Sequence, residues 1–146
     1  MKKDVFLKQQ SFLSEKLRGK TVMVSGSTGL VGSAIVRYLA DLNENYQAHI
    51  GIIALFRNEK KLKCVHSSLM GRDYFIPRYY AANEEMAFND DVDYIIHAAG
   101  ISGGSKMHLK DPIRIFDIGI NGTRMLLDYA AGHACKGFVY SLAVAQ

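Results

Sequence analysis

The sequence predicts an α/β fold, a doubly wound parallel sheet of five strands in the order 3-2-1-4-5, and three observations predict it. Short, β-branched apolar runs alternate with longer segments of helical period along nearly the whole chain. The first of these runs passes into a loop with Gly26, Gly29 and Gly32 spaced three residues apart, and that loop opens an amphipathic helix. No linker, internal repeat or low-complexity tract interrupts the alternation. Right-handed crossovers then wind outward in both directions from strand one, and the ligand crevice falls at the carboxyl ends of strands one and four.

Each element has its own reason. In "MKKDVFLKQQSFLSEKL", Val5, Phe6, Phe12, Leu13 and Leu17 predict an amphipathic helix over residues 1–18, packed on a body that runs from 19 to 146. The same stretch has no continuous apolar core and does not read as a secretory signal. "KTVMVSG" (20–26) reads as a buried strand, and Val31, Ala34, Ile35, Tyr38, Leu39 and Leu42 follow it at helical spacing. "HIGIIALF" (49–56) is a second buried strand, and "NEKKLKCVHSSL" (58–69) a polar surface helix. "DYFIPRYYAA" (73–82) is a third strand, which Pro77 assigns to an edge. "DVDYIIHAAG" (91–100) is a fourth, and the segment 111–134 a long helix with Pro112 in its first turn. "KGFVYSLAVA" (136–145) is the fifth.

Composition narrows the function classes. A chain of 146 residues, 49% hydrophobic and 22% charged, is one globular domain with enough apolar surface for a core. No apolar run approaches the ~20 residues of a membrane span. The net charge of +4 is scattered apart from "RNEKKLK" at 57–63, which argues against nucleic acid as a partner and reads as a solvated surface. Cys64 and Cys135 form no CxxC or Cys/His spacing, so no metal site is expected; two reduced thiols point to the cytoplasm.

The glycine loop carries the chemistry. Glycine accepts positive φ and lets a diphosphate approach the backbone, and the helix that follows presents free N–H groups and a partial positive charge. Gly26 is expected to make the tight turn, Gly29 to permit close approach and Gly32 to let the helix pack. No Gly-Lys-Ser/Thr follows, which excludes a P-loop.

With its GxxGxxG spacing, "DYIIHAAG" and "DPIRIF…NGTRMLLDYA", the chain resembles the extended short-chain dehydrogenase/reductase family, in particular the NAD-dependent epimerase/dehydratase group acting on nucleotide sugars. The resemblance runs from about Lys20 to Tyr140 and implies a Rossmann-like domain. It implies that Gly26, Ser27, Thr28, Gly29, Leu30 and Val31 surround the cofactor diphosphate, and that Ala98, Ala99 and Gly100 line the adenosine and nicotinamide side. Asn121 matches the helix-four asparagine that supports the family's active site; a bridge between backbone groups inside the helix is the other reading. His97 reads as a packed, hydrogen-bonded strand-end residue.

An NAD site needs a carboxylate after strand two to bind the ribose hydroxyls. Phe56 stands there, and Arg57 follows with Lys60 and Lys61 nearby. A guanidinium pairs with a 2′-phosphate, so NADP is favoured over NAD; the other reading of Arg57 is a surface arginine without a ligand. After strand three the family often has an acid near the adenine, whereas this chain has Ala81, Ala82 and Asn83, of which Asn83 can still bond the base.

The family's chemistry uses a Tyr-x-x-x-Lys pair, in which the lysine lowers the tyrosine pKa. None of the eight tyrosines has a lysine four residues later. In the family's Ser-Ser-x-x-Val-Tyr-Gly segment, Ser141 fits the first serine, but Leu142 and Ala143 take the hydroxyl positions. The expectation is a member truncated after strand five, with no catalytic residues, that binds a dinucleotide without turnover. A nucleotide-sugar substrate enters only if a second chain supplies the missing half. The alternative is a non-enzymatic NADP(H)-sensing module. The loop 101–110 is expected to be mobile, with Gly103 and Gly104 at its centre. A fifth strand at the edge, beside Ile115, Ile118, Met125 and Leu126 on the long helix, predicts a homodimer through residues 112–145.

Overall fold

The structure is a computed structural model that describes residues 2–100 and 112–141. The loop 101–110, Leu142, Ala143 and Val144 lie outside the described residues, as do the side chains of Phe6 and Ile118. The chain runs α1 (Lys2–Lys16), β1 (Thr21–Ser25), α2 (Leu30–Tyr46), β2 (Gly51–Phe56), α3 (Glu59–Val65), β3 (Phe75–Tyr79), β4 (Tyr94–His97), α4 (Pro112–Gly132) and β5 (Gly137–Tyr140). The strands form one sheet in the order β3-β2-β1-β4-β5. Every pairing is parallel; Val22, for instance, sits between Ile52 and Tyr94. The expected five-stranded, doubly wound, Rossmann-like sheet is therefore what forms.

The period-two alternation of the strands divides the core into two layers. Val22, Val24, Ile52 and Ala54 face α2 and α3, where they meet Val36, Leu39, Leu42 and Leu62. Met23, Ile53, Leu55 and Ile95 face the other way and meet Leu126 and Tyr129 of α4. Both faces of β1 and β2 are covered, which explains why their sequences are continuously apolar.

The elements are shorter than the sequence suggests. Strand three is confined to Phe75–Tyr79, and Pro77, which has no N–H to give a ladder, sits on the edge strand as expected. The helix expected over 58–69 stops at Val65. Asn58 begins it by accepting from the Lys61 amide through its side chain (2.9 Å), and His66 ends it.

Two packing expectations are corrected. The helix α1 forms, but not with its predicted apolar stripe inward: Val5, Phe12 and Leu13 are exposed. Its contacts run instead through Gln10, whose side-chain oxygen accepts from the Tyr46 hydroxyl, through buried Ser14, and through Leu17 against the core. Those three positions are four and three residues apart, and so share one helical face. On α4, Leu126 is fully buried, while Ile115 and Met125 are only partly exposed. The apolar residues left open there are Ile113, Phe116, Ile120 and Leu127, again at helical spacing, with Val139 and Tyr140 exposed on β5.

Candidate functional site

At the carboxyl ends of β1 and β4, a cleft of about 140 Å³ is lined by Gly26, Thr28, Gly29, Leu55, Arg57, Lys61, Tyr80, Ala82, His97, Ala98, Ala99 and Gly100. Larger grooves exist among the described residues. One of about 670 Å³ lies beside Asn43, Arg72 and Tyr74, and one of about 560 Å³ lies between α1 and Tyr38. Both are open surface features that do not touch the glycine loop. The smaller cleft holds the convergent backbone and the cations, so the chemistry is assigned to it.

Gly26 ends β1 with φ +66°, where side chains are disfavoured. A Cβ there would lie 2.7 Å from the carbonyl oxygen of Ala98 and from the nitrogen and Cα of Ala99. The missing side chain is what lets the ends of β1 and β4 close on each other. The Gly29 amide then donates to the Gly26 carbonyl (2.9 Å) and completes the turn. Gly29 is the N-cap of α2, with extended backbone and no side-chain cap. The first-turn amides of α2 therefore have neither an intrahelical acceptor nor a capping side chain.

The predicted diphosphate residues do not all present side chains to the cleft. Ser27 is buried, and its hydroxyl donates to the Leu55 carbonyl (2.7 Å). Leu30 and Val31 project outward; Leu30 is 91% exposed. These three can offer only backbone groups. Gly32 packs against the Gly26 carbonyl, beneath the loop rather than in the cleft.

Arg57 leaves the end of β2 exposed, and Lys61, one turn into α3, shares the cleft with it. No carboxylate lines the cleft among the described residues. Phe56, standing where an acid is expected, packs edge-on against the Tyr79 ring (6.1 Å).

Asn83 and Asn121 come together, but not here. With Glu84, Glu85, Arg124 and Asp128 they border a neighbouring open groove of about 540 Å³, which shares only Ala82 with the cleft. Asn121 is exposed, and its amide lies 3.5 Å from the Asp117 carboxylate. The inward stripe of α4 is Gly122, Leu126 and Tyr129, and Asn121 stands one position, about 100° of helix, to the side.

His97 is the packed histidine the sequence suggested. Its Nδ1 meets the Ser25 hydroxyl and its Nε2 the Thr123 hydroxyl (3.0 Å), while its ring stacks on Tyr140 at 5.0 Å. Burial holds its pKa below the usual histidine range, so it is neutral at pH 7 and ties four elements together. Tyr80, which sequence reasoning missed, forms a wall of the cleft. Its hydroxyl donates to the Gly122 carbonyl (2.8 Å), and burial pushes its pKa up to about 12. The one available signal was its place on an apolar-alternating strand end. Such a cleft can bind an extended anion with a flat, partly apolar group beside it. Among the described residues no group of three or more histidine, cysteine or acidic side chains clusters as metal ligands.

A family model described as the NAD dependent epimerase/dehydratase family matches residues 22–146. UDP-glucose 4-epimerase 2 of Oryza sativa subsp. japonica is 24% identical over 136 residues, 86% of this chain and 32% of that protein. Among solved structures, Pen from Bacillus thuringiensis superimposes with a TM-score of 0.67 at 18% identity, over 85% of this chain and 38% of its own. Yeast methylglyoxal/isovaleraldehyde reductase Gre2, complexed with NADPH, does so with a TM-score of 0.63 at 19% identity, over 82% of this chain and 36% of its own. The chain thus spans less than half the length of these relatives.

Proposed function

The chain belongs to the NAD dependent epimerase/dehydratase family, and from that premise we propose that its Gly26–Gly32 loop holds the diphosphate of a nicotinamide dinucleotide. The observation that carries this is the uncapped start of α2 at Gly29, opening beside a cleft that holds Arg57 and Lys61. Gly26, Thr28 and Gly29, with the amides of Ser27, Leu30 and Val31, surround the diphosphate, and Ala98 to Gly100 run along the rest of the cofactor. The bound cofactor supplies hydride transfer; the chain's own groups bind and orient it.

NADP is favoured over NAD. Arg57 and Lys61 line the cleft and can pair with a 2′-phosphate, and among the described residues no carboxylate lines it to accept from a 2′-hydroxyl, which supports this reading. Because Arg57 is exposed, the lower end of the range for a charge-assisted contact applies, and NADPH is expected to bind about tenfold tighter than NADH. Titration of both cofactors by calorimetry checks this, with Arg57→Ala bringing the two affinities together. Equal dissociation constants in the unmodified chain overturn it.

By itself the chain turns over no nucleotide sugar. No tyrosine has a lysine four residues on, and both nitrogens of His97 are engaged by the Ser25 and Thr123 hydroxyls. A spectrophotometric assay of the pure chain with NADP(H) and a nucleotide sugar reads this directly, and cofactor-dependent turnover defeats it.

The open stripe Ile113, Phe116, Ile120 and Leu127, together with β5, the outermost strand among the described residues, supports pairing with a second copy of the chain. Sedimentation at micromolar concentration is expected to show a dimer, and Val139→Lys a monomer. A monomeric unmodified chain, or a dimer unaffected by Val139→Lys, places the interface elsewhere or removes it.

A further inference from the structure

His66 is buried among apolar neighbours, with 1% of its surface exposed, and the site described above makes no use of it. It sits at the end of α3, 39 residues along the chain from the glycine loop, yet its Nε2 lies 2.8 Å from the Ser27 carbonyl oxygen. A carbonyl only accepts, so Nε2 carries the proton and the neutral ring leaves Nδ1 bare. Nδ1 is the buried side-chain atom without a partner among the described residues, as that tautomer requires. The ring leans on Phe75 at 5.5 Å, which fixes its plane. Burial, with a smaller contribution from Arg37 on α2, holds the pKa below the usual histidine range, although the bond to Ser27 opposes this. A second proton would have no acceptor at Nδ1.

Ser27 is therefore held from two sides, its hydroxyl by the Leu55 carbonyl of β2 and its carbonyl by His66. The described chain has no cis peptide bond, so the Ser27 carbonyl and the Thr28 amide point in opposite directions. With the carbonyl drawn toward His66 in the interior, the Thr28 N–H is turned away from it, and Thr28 lines the cleft.

We propose that His66 is a positioning residue of the dinucleotide site: by donating from Nε2 to the Ser27 carbonyl, it locks the Ser27–Thr28 peptide with its N–H directed at the diphosphate. The inference rests on the dinucleotide reading above. It assigns α3 two tasks, presenting Lys61 at one end and pinning the loop at the other, so that loop and cation are set by one short helix.

The test is cofactor affinity in three variants, with a thermal melt of each. His66→Leu fills much of the space without a donor and is expected to weaken NADPH about tenfold, the loss of one preorganised hydrogen bond. His66→Gln carries an N–H near the Nε2 position and is expected to return to within about threefold of the unmodified chain. His66→Asn, whose amide falls near Nδ1 and short of Ser27, is expected to behave like His66→Leu and stands in for it if that variant fails to fold. Melting temperature reports any general loss of packing, and recovery of affinity by Gln alone separates positioning from packing. Unchanged affinity in His66→Leu and His66→Asn overturns the proposal, as does equal weakening in all three variants. If the unmodified chain binds neither NADPH nor NADH, the dinucleotide reading fails and this inference fails with it. If it binds and the Leu and Asn variants bind equally well, only the role of His66 is lost.

Discussion

Gly29→Asp is expected to remove dinucleotide binding while leaving the fold in place. Gly29 has φ −83° and ψ 175°, an extended conformation that aspartate adopts without strain. It is also the N-cap of α2, where aspartate is among the preferred residues and differs from glycine by only a few tenths of a kcal/mol. The Cβ would lie 3.2 Å from the Gly26 carbonyl oxygen, which a small adjustment accommodates. The binding consequence is severe for the same reason the fold tolerates the change. The carboxylate accepts from the first-turn amides of α2, the groups assigned to the diphosphate, and repels whatever anion approaches. Losing a charge-assisted contact and adding a like charge is expected to weaken NADPH on the order of 100-fold or more. Calorimetry and a denaturation curve on the same sample check both halves. Unchanged binding removes the glycine loop from the site.

Much of this was legible in the sequence because it depends on local pattern. Strand and helix alternation dictates a parallel sheet, and handedness then leaves little freedom in strand order. Gly26, Gly29 and Gly32 could be placed because turn, cap and helix packing each need a residue without a Cβ at a fixed offset. The features that the sequence did not register depend on which face of an element meets a neighbour. The apolar residues of α1 suggested an inward stripe, but the docking face runs through Gln10, Ser14 and Leu17. Asn121 is one residue from the inward stripe of α4, a rotation that composition does not register. The family resemblance implies Ser27 at the diphosphate but does not say which of its groups is free; its hydroxyl is spent on Leu55, which leaves its amide. His66 lay within a stretch that read as polar surface helix; that helix ends one residue earlier, and the histidine turns inward to the loop. Contacts made across tens of residues leave no periodic trace.

Gly32→Ala is expected to destabilise the chain, against the ordinary rule for helices. In a helix interior, alanine is favoured over glycine by about 0.8–1 kcal/mol. Gly32 is buried in the first turn of α2, and an added Cβ falls within the van der Waals envelope of the Gly26 carbonyl oxygen, 2.7 Å from its carbon and 3.1 Å from the Ser27 Cα. These are backbone atoms with nowhere to go. The Gly26 carbonyl accepts from Gly29, Gly26 itself abuts Ala98 and Ala99, and Ser27 is held by Leu55 and His66. Relief requires α2 to lift away, and that helix buries Val36, Leu39 and Leu42 in the core. Overpacking of this kind costs roughly 1–3 kcal/mol, and the rigidity here places the expected loss near the top, at about 3 kcal/mol. For a chain of this size that is a fall in melting temperature of about 10 °C. Gly119 supplies the control, since it lies inside α4 and a Cβ there meets nothing within 4 Å. Gly119→Ala should follow propensity and raise stability by up to about 1 kcal/mol. Opposite signs for the same substitution in two helices, read by urea denaturation, are the expected result. A gain in both would mean that α2 is not seated on the loop at Gly26, and the cleft beside it would lose its floor.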